Sequence, residues 1–531
     1  MHVRSWNQRL VTSACLALLV AACGGDGPTE PAHREPGVHA MLGAGVTDTI
    51  DAQPLQALVV EVRGPSGRLA SGAVVRFEAQ PPADTTRRNE AAVFVCPLTA
   101  PTCGQNVSYG PGLQFSSDTT DAQGRAKVTV RLGHVAGPAV VRLTVPEFGL
   151  EDSATFTVLP GAAARVRATV ADTVLAIGAT TTVRGHVFDR YGNSRPDAPV
   201  LTAGPGNAIT FDAATGVVTG RDIGTQWLFM RYLQSAADST RVRVLPTGRL
   251  VVWSSSEAVV RLVNIDGSAV RTVVTNVASD LGTFPRFDAA RQGIILHDGA
   301  LSYGGPSTSV IVVDTTGSPR RDIGPSTGFA AILATRQLAD GTVLVVGSTV
   351  SGAPCAGYAL FRVEADNSLT CLTALPGLGG TYGGADISHD GLRVAYLGQN
   401  TSTPYSSLLE LRVLDRTTGT TAVLEPNARA PRWSSKDDRV AYLVPGPGVS
   451  GLNDGAPVVI NADGTGRRTL GNFVFSPGLA WSPDGAFIIG RNGAWSEVAL
   501  HVIRVSDGAD VLLHFRTPTG ATADYYQPDW R

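Results

Sequence analysis

Leu479-Ala480-Trp481-Ser482-Pro483-Asp484-Gly485-Ala486-Phe487-Ile488 decides the fold: a short strand, a tight polar turn and a second apolar strand. The unit recurs as Ala430-Pro431-Arg432-Trp433-Ser434-Ser435-Lys436-Asp437-Asp438-Arg439-Val440-Ala441-Tyr442. It recurs more loosely as Ile387-Ser388-His389-Asp390-Gly391, Leu338-Ala339-Asp340-Gly341 and Pro285-Arg286-Phe287-Asp288. Asp-Gly supplies the positive-φ positions that a tight hairpin needs. Regular spacing of such hairpins indicates a radial array of small antiparallel sheets, a β-propeller.

Working outward, the apolar strand after each turn starts near Leu250, Gly293, Thr342, Arg393, Arg439 and Ala486, which predicts six blades. Each copy continues with two more strands. Leu409-Glu410-Leu411-Arg412-Val413-Leu414 alternates with the period of two expected where one strand face meets a neighbouring sheet. The start near Leu250 has no preceding copy of the aromatic strand, whereas the sequence closes on Gln527-Pro528-Asp529-Trp530-Arg531, a copy with nothing after it. Tyr525 to Trp530 is therefore expected to supply the inner strand of the blade begun at residue 249. That pairing removes two open sheet edges.

Trp481 to Gly485, its relatives at 387–391 and 433–437, and Pro528-Asp529-Trp530 resemble the repeats of TolB-type, WD40-like β-propellers over residues 248–531. The resemblance implies a six-bladed ring, often in a periplasmic or surface protein that binds other macromolecules, without a shared catalytic set. Asp390, Asp437 and Asp484 recur at these turns and are expected to accept backbone hydrogen bonds there, beside Gly391 and Gly485. Trp433, Trp481 and Trp530 are expected to pack between blades.

Residues 1–23 read as an export signal. Arg4 and Arg9 precede an apolar stretch from Leu10 to Ala22, too short for the roughly 20 residues of a spanning helix. Val20-Ala21-Ala22-Cys23 resembles a bacterial lipoprotein processing box, with Cys23 as the lipid-attachment residue. Gly24, Gly25, Pro28, Pro31 and Pro36 then mark a tether over 24–44. Gly24 after the cysteine, by resemblance to Gram-negative lipoproteins, implies export to the outer membrane, facing periplasm or cell surface.

Two further all-β stretches follow, 45–160 and 161–247. Thr119-Thr120-Asp121-Ala122-Gln123-Gly124-Arg125-Ala126 with Ala154-Thr155-Phe156-Thr157-Val158, and later Val187-Phe188-Asp189-Arg190-Tyr191-Gly192-Asn193-Ser194, resemble bacterial immunoglobulin-like domains of the invasin and intimin kind. The expected fold class is thus all-β: two immunoglobulin-like β-sandwiches, then a six-bladed propeller closed by the C-terminal strand.

Composition agrees. The 531 residues include 60 Gly and 33 Pro but only 3 Met, as many short strands and turns require. With 43 Lys and Arg against 45 Asp and Glu, no global field recruits nucleic acid. Membrane association is expected through the lipid anchor only. Cys15 and Cys23 belong to the export segment; Cys96, Cys103, Cys355 and Cys371 allow three pairings, of which the local ones, Cys96 with Cys103 and Cys355 with Cys371, are favoured by proximity. The first closes a short loop and contributes about 2.5 kcal/mol on a chain-entropy basis. Neither pair has metal-ligand spacing, and no metal or cofactor is expected.

No shared catalytic set is expected, and the sequence has no His-Glu-x-x-His and no phosphate loop. His389 stands where its sister repeat has Pro483 and reads as a turn residue. The expected role is a macromolecular platform for an envelope protein or glycan, using loops on one face of the ring or the mouth of its channel. The insertions Val350 to Gly357, Gln399 to Ser407 and Pro445 to Gly455 are the candidate contacts. A hydrolase or lyase acting on envelope polysaccharide or peptide would need acidic groups converging at the channel mouth, and an arginine-lined channel would count against it. A purely structural envelope protein is the third class.

Overall fold

The computed structural model describes residues 35–100, 103–104, 114–233, 236–275, 277, 285–288, 292–298, 309–324, 328–350, 355–379, 384–399, 409–446, 454–471, 474–492 and 499–531. Among them the fold is almost entirely β-sheet, with one 3-10 turn at Thr85–Arg87. The signal segment and Cys23 lie outside these residues, as do the central parts of the three insertions. No helix among the described residues is long and apolar enough to cross a membrane.

Two compact units are present: Met1–Arg165 with Phe188–Arg195, and Val166–Val187 with Pro196–Arg531. In the first, one sheet has the order Gly37–Leu42, Leu58–Arg63, Arg125–Leu132, Val93–Cys96. The other runs Thr47–Thr49, Leu150–Leu159, Gly137–Val145, Val74–Ala79, Phe115–Thr119. Alternation dictates the burial: in Arg125–Leu132 every second residue, Ala126, Val128, Val130 and Leu132, is buried. These side chains share one core with Val60, Val62, Phe77, Val141, Leu143 and Phe156 from both sheets.

Residues 163–245 add two four-stranded sheets. The weakly written stretch after Pro199 supplies three short strands, Val200–Ala203, Ile209–Asp212 and Val217–Gly220.

Six four-stranded antiparallel sheets follow. Their leading strands are Tyr525–Trp530, Arg286–Phe287, Phe329–Gln337, Ala385–Ile387, Arg429–Trp433 and Ala480–Trp481. The C-terminal strand pairs with Arg249–Ser254, Trp530 opposite Leu250 and Tyr525 opposite Ser254. Asp524 ties this junction further, accepting from the Ser254 hydroxyl at 2.7 Å and from the Ser256 amide at 2.7 Å. Gly248, at φ 140°, lies where any Cβ would overlap the Trp530 indole nitrogen, so the approach requires glycine. Neighbouring sheets meet through these strands: Tyr525–Trp530 touches Arg286–Phe287 and Ala480–Trp481, Ala385–Ile387 touches Phe329–Gln337 and Arg429–Trp433, and Phe329–Gln337 touches Gly293–Asp298.

Trp433, Trp481 and Trp530 are all buried. Trp433 packs with Ala395, Leu397, Leu411 and Val413 of the preceding sheet, and Trp481 with Ala441, Leu443 and Val459 of its own predecessor. Trp530 does the same against Ile489, Leu500 and Val502. Large aromatic side chains thereby join neighbouring sheets, and each is expected to contribute about 3 kcal/mol or more by analogy with core truncations.

Candidate functional site

The turns position the leading strands. Asp484 accepts the Ala486 amide at 3.0 Å, and Asp390 accepts the Leu392 amide at 2.9 Å and the Ser388 hydroxyl at 2.6 Å. Gly391 and Gly485 occupy φ 73° and 69°. Asp437 does not share this place. The Ser434 amide bonds to the Arg439 carbonyl as Ser482 bonds to Phe487, so Lys436 stands opposite Asp484 and Asp437 opposite Gly485. The Asp437 carboxylate instead accepts from Arg439 Nε at 3.0 Å and Nη2 at 2.6 Å. The Ser434 hydroxyl accepts the Lys436 amide at 3.2 Å.

With the turns set, one residue per leading strand falls in a common register. Asp529, Arg286, Arg336, Asp386, Arg432 and Ala480 pair with Val251, Ile295, Leu344, Ala395, Ala441 and Ile489, each the equivalent position of the second strand. Each of the six directly precedes the position of the packed Trp, Phe or its counterpart. The period of two therefore turns it to the other strand face. Five of them, Arg286, Arg336, Arg432, Ala480 and Asp529, border a cavity of about 270 Å³, with His389, Trp433 and Trp481 on its wall. Fully buried Asp386 lies beside it, bound to Arg286 at 2.5 Å.

Both carboxylates of this register also reach the leading strand of another sheet. Asp386 accepts the Trp433 amide at 2.8 Å, and Asp529 accepts the Phe287 amide at 2.8 Å. Burial alone would raise the Asp386 pKa, but the surrounding Arg286, Arg336 and Arg432 charges outweigh it and hold the carboxyl below its ordinary range. Arg432 is pushed down to about 9, first by burial and then by repulsion from Arg286. Burial likewise lowers Arg336. This register holds three guanidiniums and two carboxylates; Asp288, also on the wall, is matched by Arg320 at 3.7 Å and the Gln292 amide at 2.8 Å. Such a cluster favours binding an anion.

None of these six residues was singled out as a site in the sequence, although the motif copies containing Arg286, Arg432 and Asp529 were. Stacking the six repeats exposes the column, and strand alternation assigns it to the face opposite the tryptophans.

The first unit holds a second buried polar cluster. Asp189, fully buried, accepts from the amides of Tyr191 at 2.9 Å, Asn193 at 3.0 Å and Gly161 at 2.9 Å, and from Asn193 Nδ2 at 2.7 Å. Asn193 in turn accepts the Ala136 amide and donates to the His134 carbonyl. Asp51 is met by Arg131 and by His134 Nε2, each at 3.1 Å, and by the Tyr191 hydroxyl at 3.2 Å.

Cys96 is bonded to Cys103 and Cys355 to Cys371, with Cα separations of 5.5 and 6.0 Å. The second bond joins the approach of strand Tyr358–Val363 to Leu369–Ala374 within one sheet. Among the described residues no group of three His, Cys, Asp or Glu side chains is arranged to hold a metal.

No protein-family model matches the sequence, and no curated protein matches it. Among solved structures the chain is similar to TolB from Acinetobacter baumannii, at 13% identity over 62% of this chain and 82% of that one, with a TM-score of 0.40. A putative TolB from Agrobacterium tumefaciens is similar at 11% identity over 50% and 89%, TM-score 0.35. An oligogalacturonate lyase in complex with manganese is similar at 15% identity over 52% and 77%, TM-score 0.33.

Proposed function

We propose that the six sheets of residues 249–530 are the blades of a closed propeller, that residues 45–247 form two immunoglobulin-like spacers, and that lipid on Cys23 anchors the protein to the outer membrane. In this reading the propeller is a binding platform for an envelope protein or glycan, with the channel mouth as its contact. The arginine-rich ring carries the reading: three guanidiniums converge from three different leading strands on one cavity. Convergent donors on a rigid scaffold bind at little cost in ordering. Depression of the Asp386 pKa supports binding over hydrolase or lyase chemistry, which needs a carboxyl able to donate or accept a proton.

The test is capture from solubilised envelope on the full-length protein, beside Arg432→Glu and beside a variant with the three insertions shortened. A partner kept by the shortened variant and lost by Arg432→Glu supports the channel mouth. A partner lost only on shortening moves the contact to the loops. Retention by all three would sink the platform assignment for both surfaces. Palmitate labelling of the wild type but not of Cys23→Ser is the expected result for the anchor.

A further inference from the structure

The cavity beside the inner ring has a surplus of donors that its own chain leaves unused. Arg336 Nε and Trp433 Nε1 are buried without a hydrogen-bond partner, and both side chains line the cavity. The contrast with the sister tryptophans is informative. Trp481 Nε1 donates to the Arg432 carbonyl at 3.0 Å and Trp530 Nε1 to the Thr247 carbonyl at 3.3 Å. Trp433 is as buried as they are. A buried donor left unmet is unfavourable, so two at one cavity call for an acceptor from outside the chain.

Charge defines that acceptor. Asp386 accepts from Arg286 and from the Ile387 and Trp433 amides, and one oxygen of Asp529 accepts the Phe287 amide. Three ring arginines against two ring aspartates leave one positive charge over, which a single negative charge neutralises. Guanidinium presents a planar fork that matches a carboxylate oxygen pair. At about 270 Å³ the space holds a small body behind that group, and apolar Leu479, Ala480 and Trp481 form part of the wall.

We propose that the inner-ring cavity is a carboxylate-binding site, in which Arg336 and Arg432 hold one carboxylate of a small monoanionic group and Trp433 Nε1 adds a neutral donor. The site rests on the channel reading above and adds to it the chemistry of what enters: a carboxylate, free or carried at the tip of the platform's partner.

Calorimetric titration of the full-length protein tests this with benzoate, its neutral isostere benzamide, and inorganic phosphate. Benzoate is expected to bind one to one, benzamide not to bind, and phosphate to bind more weakly than benzoate. Arg336→Met should weaken benzoate by about tenfold or more while melting no earlier than the wild type, because it removes an under-partnered buried charge. Equal binding of benzamide, tighter binding of phosphate, no heat with any probe, or an unchanged Arg336→Met would each overturn the assignment. The benzoate and benzamide contrast is read on the wild type alone, so it stands if the variant does not fold. Benzoate that binds without displacing a captured envelope partner would keep the carboxylate site and separate it from the platform contact. Displacement would join the two.

Discussion

Two buried polar clusters of similar richness do opposite things. Around Asp51 and Asp189 in the first unit, carboxylates are met by backbone amides, by an asparagine, and by arginine and tyrosine from the same unit, so acceptors and donors close on one another. Around Asp386 and Asp529 in the second unit, the carboxylates also accept from arginine and backbone amides, but arginines outnumber them and buried donors remain over. A closed network specifies a local structure; an open one leaves a valence for a ligand. Burial of charge is common to both and does not distinguish them. What differs is the balance of donors against acceptors.

The largest break in the comparison should come from removing residues 525–531. That truncation takes away Asp529, Trp530 and Tyr525 and uncovers Arg249–Ser254. A cost above about 5 kcal/mol is expected from the two lost buried aromatics alone, seen by calorimetry as loss of the cooperative transition of the second unit. A transition of unchanged midpoint would refute the structural weight given to this strand.

Asp386→Ala comes next. It leaves Arg286 buried without its carboxylate, at a cost of about 3–5 kcal/mol, and Arg286→Met in the same chain should restore much of it. Asp189→Ala sharpens the contrast, with an expected cost of about 2–3 kcal/mol. No single second substitution should repair it, because three of its donors are backbone amides. Denaturant melts of the singles and the double measure both. If a side-chain replacement at Asn193 rescued Asp189→Ala, the distinction between an exchangeable ion pair and a backbone-locked carboxylate would fail.

The smallest effect concerns a carboxylate outside both clusters. Asp415 is lowered to about 2, chiefly by the Thr417 hydroxyl and then the Thr417 amide. Its folded pKa lies below its unfolded one, so its contribution is present above about pH 4 and is lost as pH falls toward 2. Asp415→Asn should flatten the dependence of the melting temperature on pH in that interval by a small amount, since the group is near the surface. An identical slope in both proteins would remove the assignment.

Local features were legible because they depend on few neighbours. Trp481-Ser482-Pro483-Asp484-Gly485 announces its hairpin through residue types alone, and the short separations of Cys96 from Cys103 and Cys355 from Cys371 favoured the pairings observed. Alignment by residue type misled at Asp437, where hydrogen-bond register places Lys436 opposite Asp484.

The sequence by itself determined the strands, their turns, the face each buries and the pairing of its last strand with residues 249–254, because alternation and turn chemistry act within a few residues. Only the tertiary structure decided that Arg286, Arg336 and Arg432, on the leading strands of three different sheets, meet at one cavity with Asp529 beside it and Asp386 bound to Arg286. The physical reason is that electrostatic balance is a property of distance in space. Each arginine alone reads as an ordinary residue before an aromatic position, and the surplus charge exists only once the strands stand side by side.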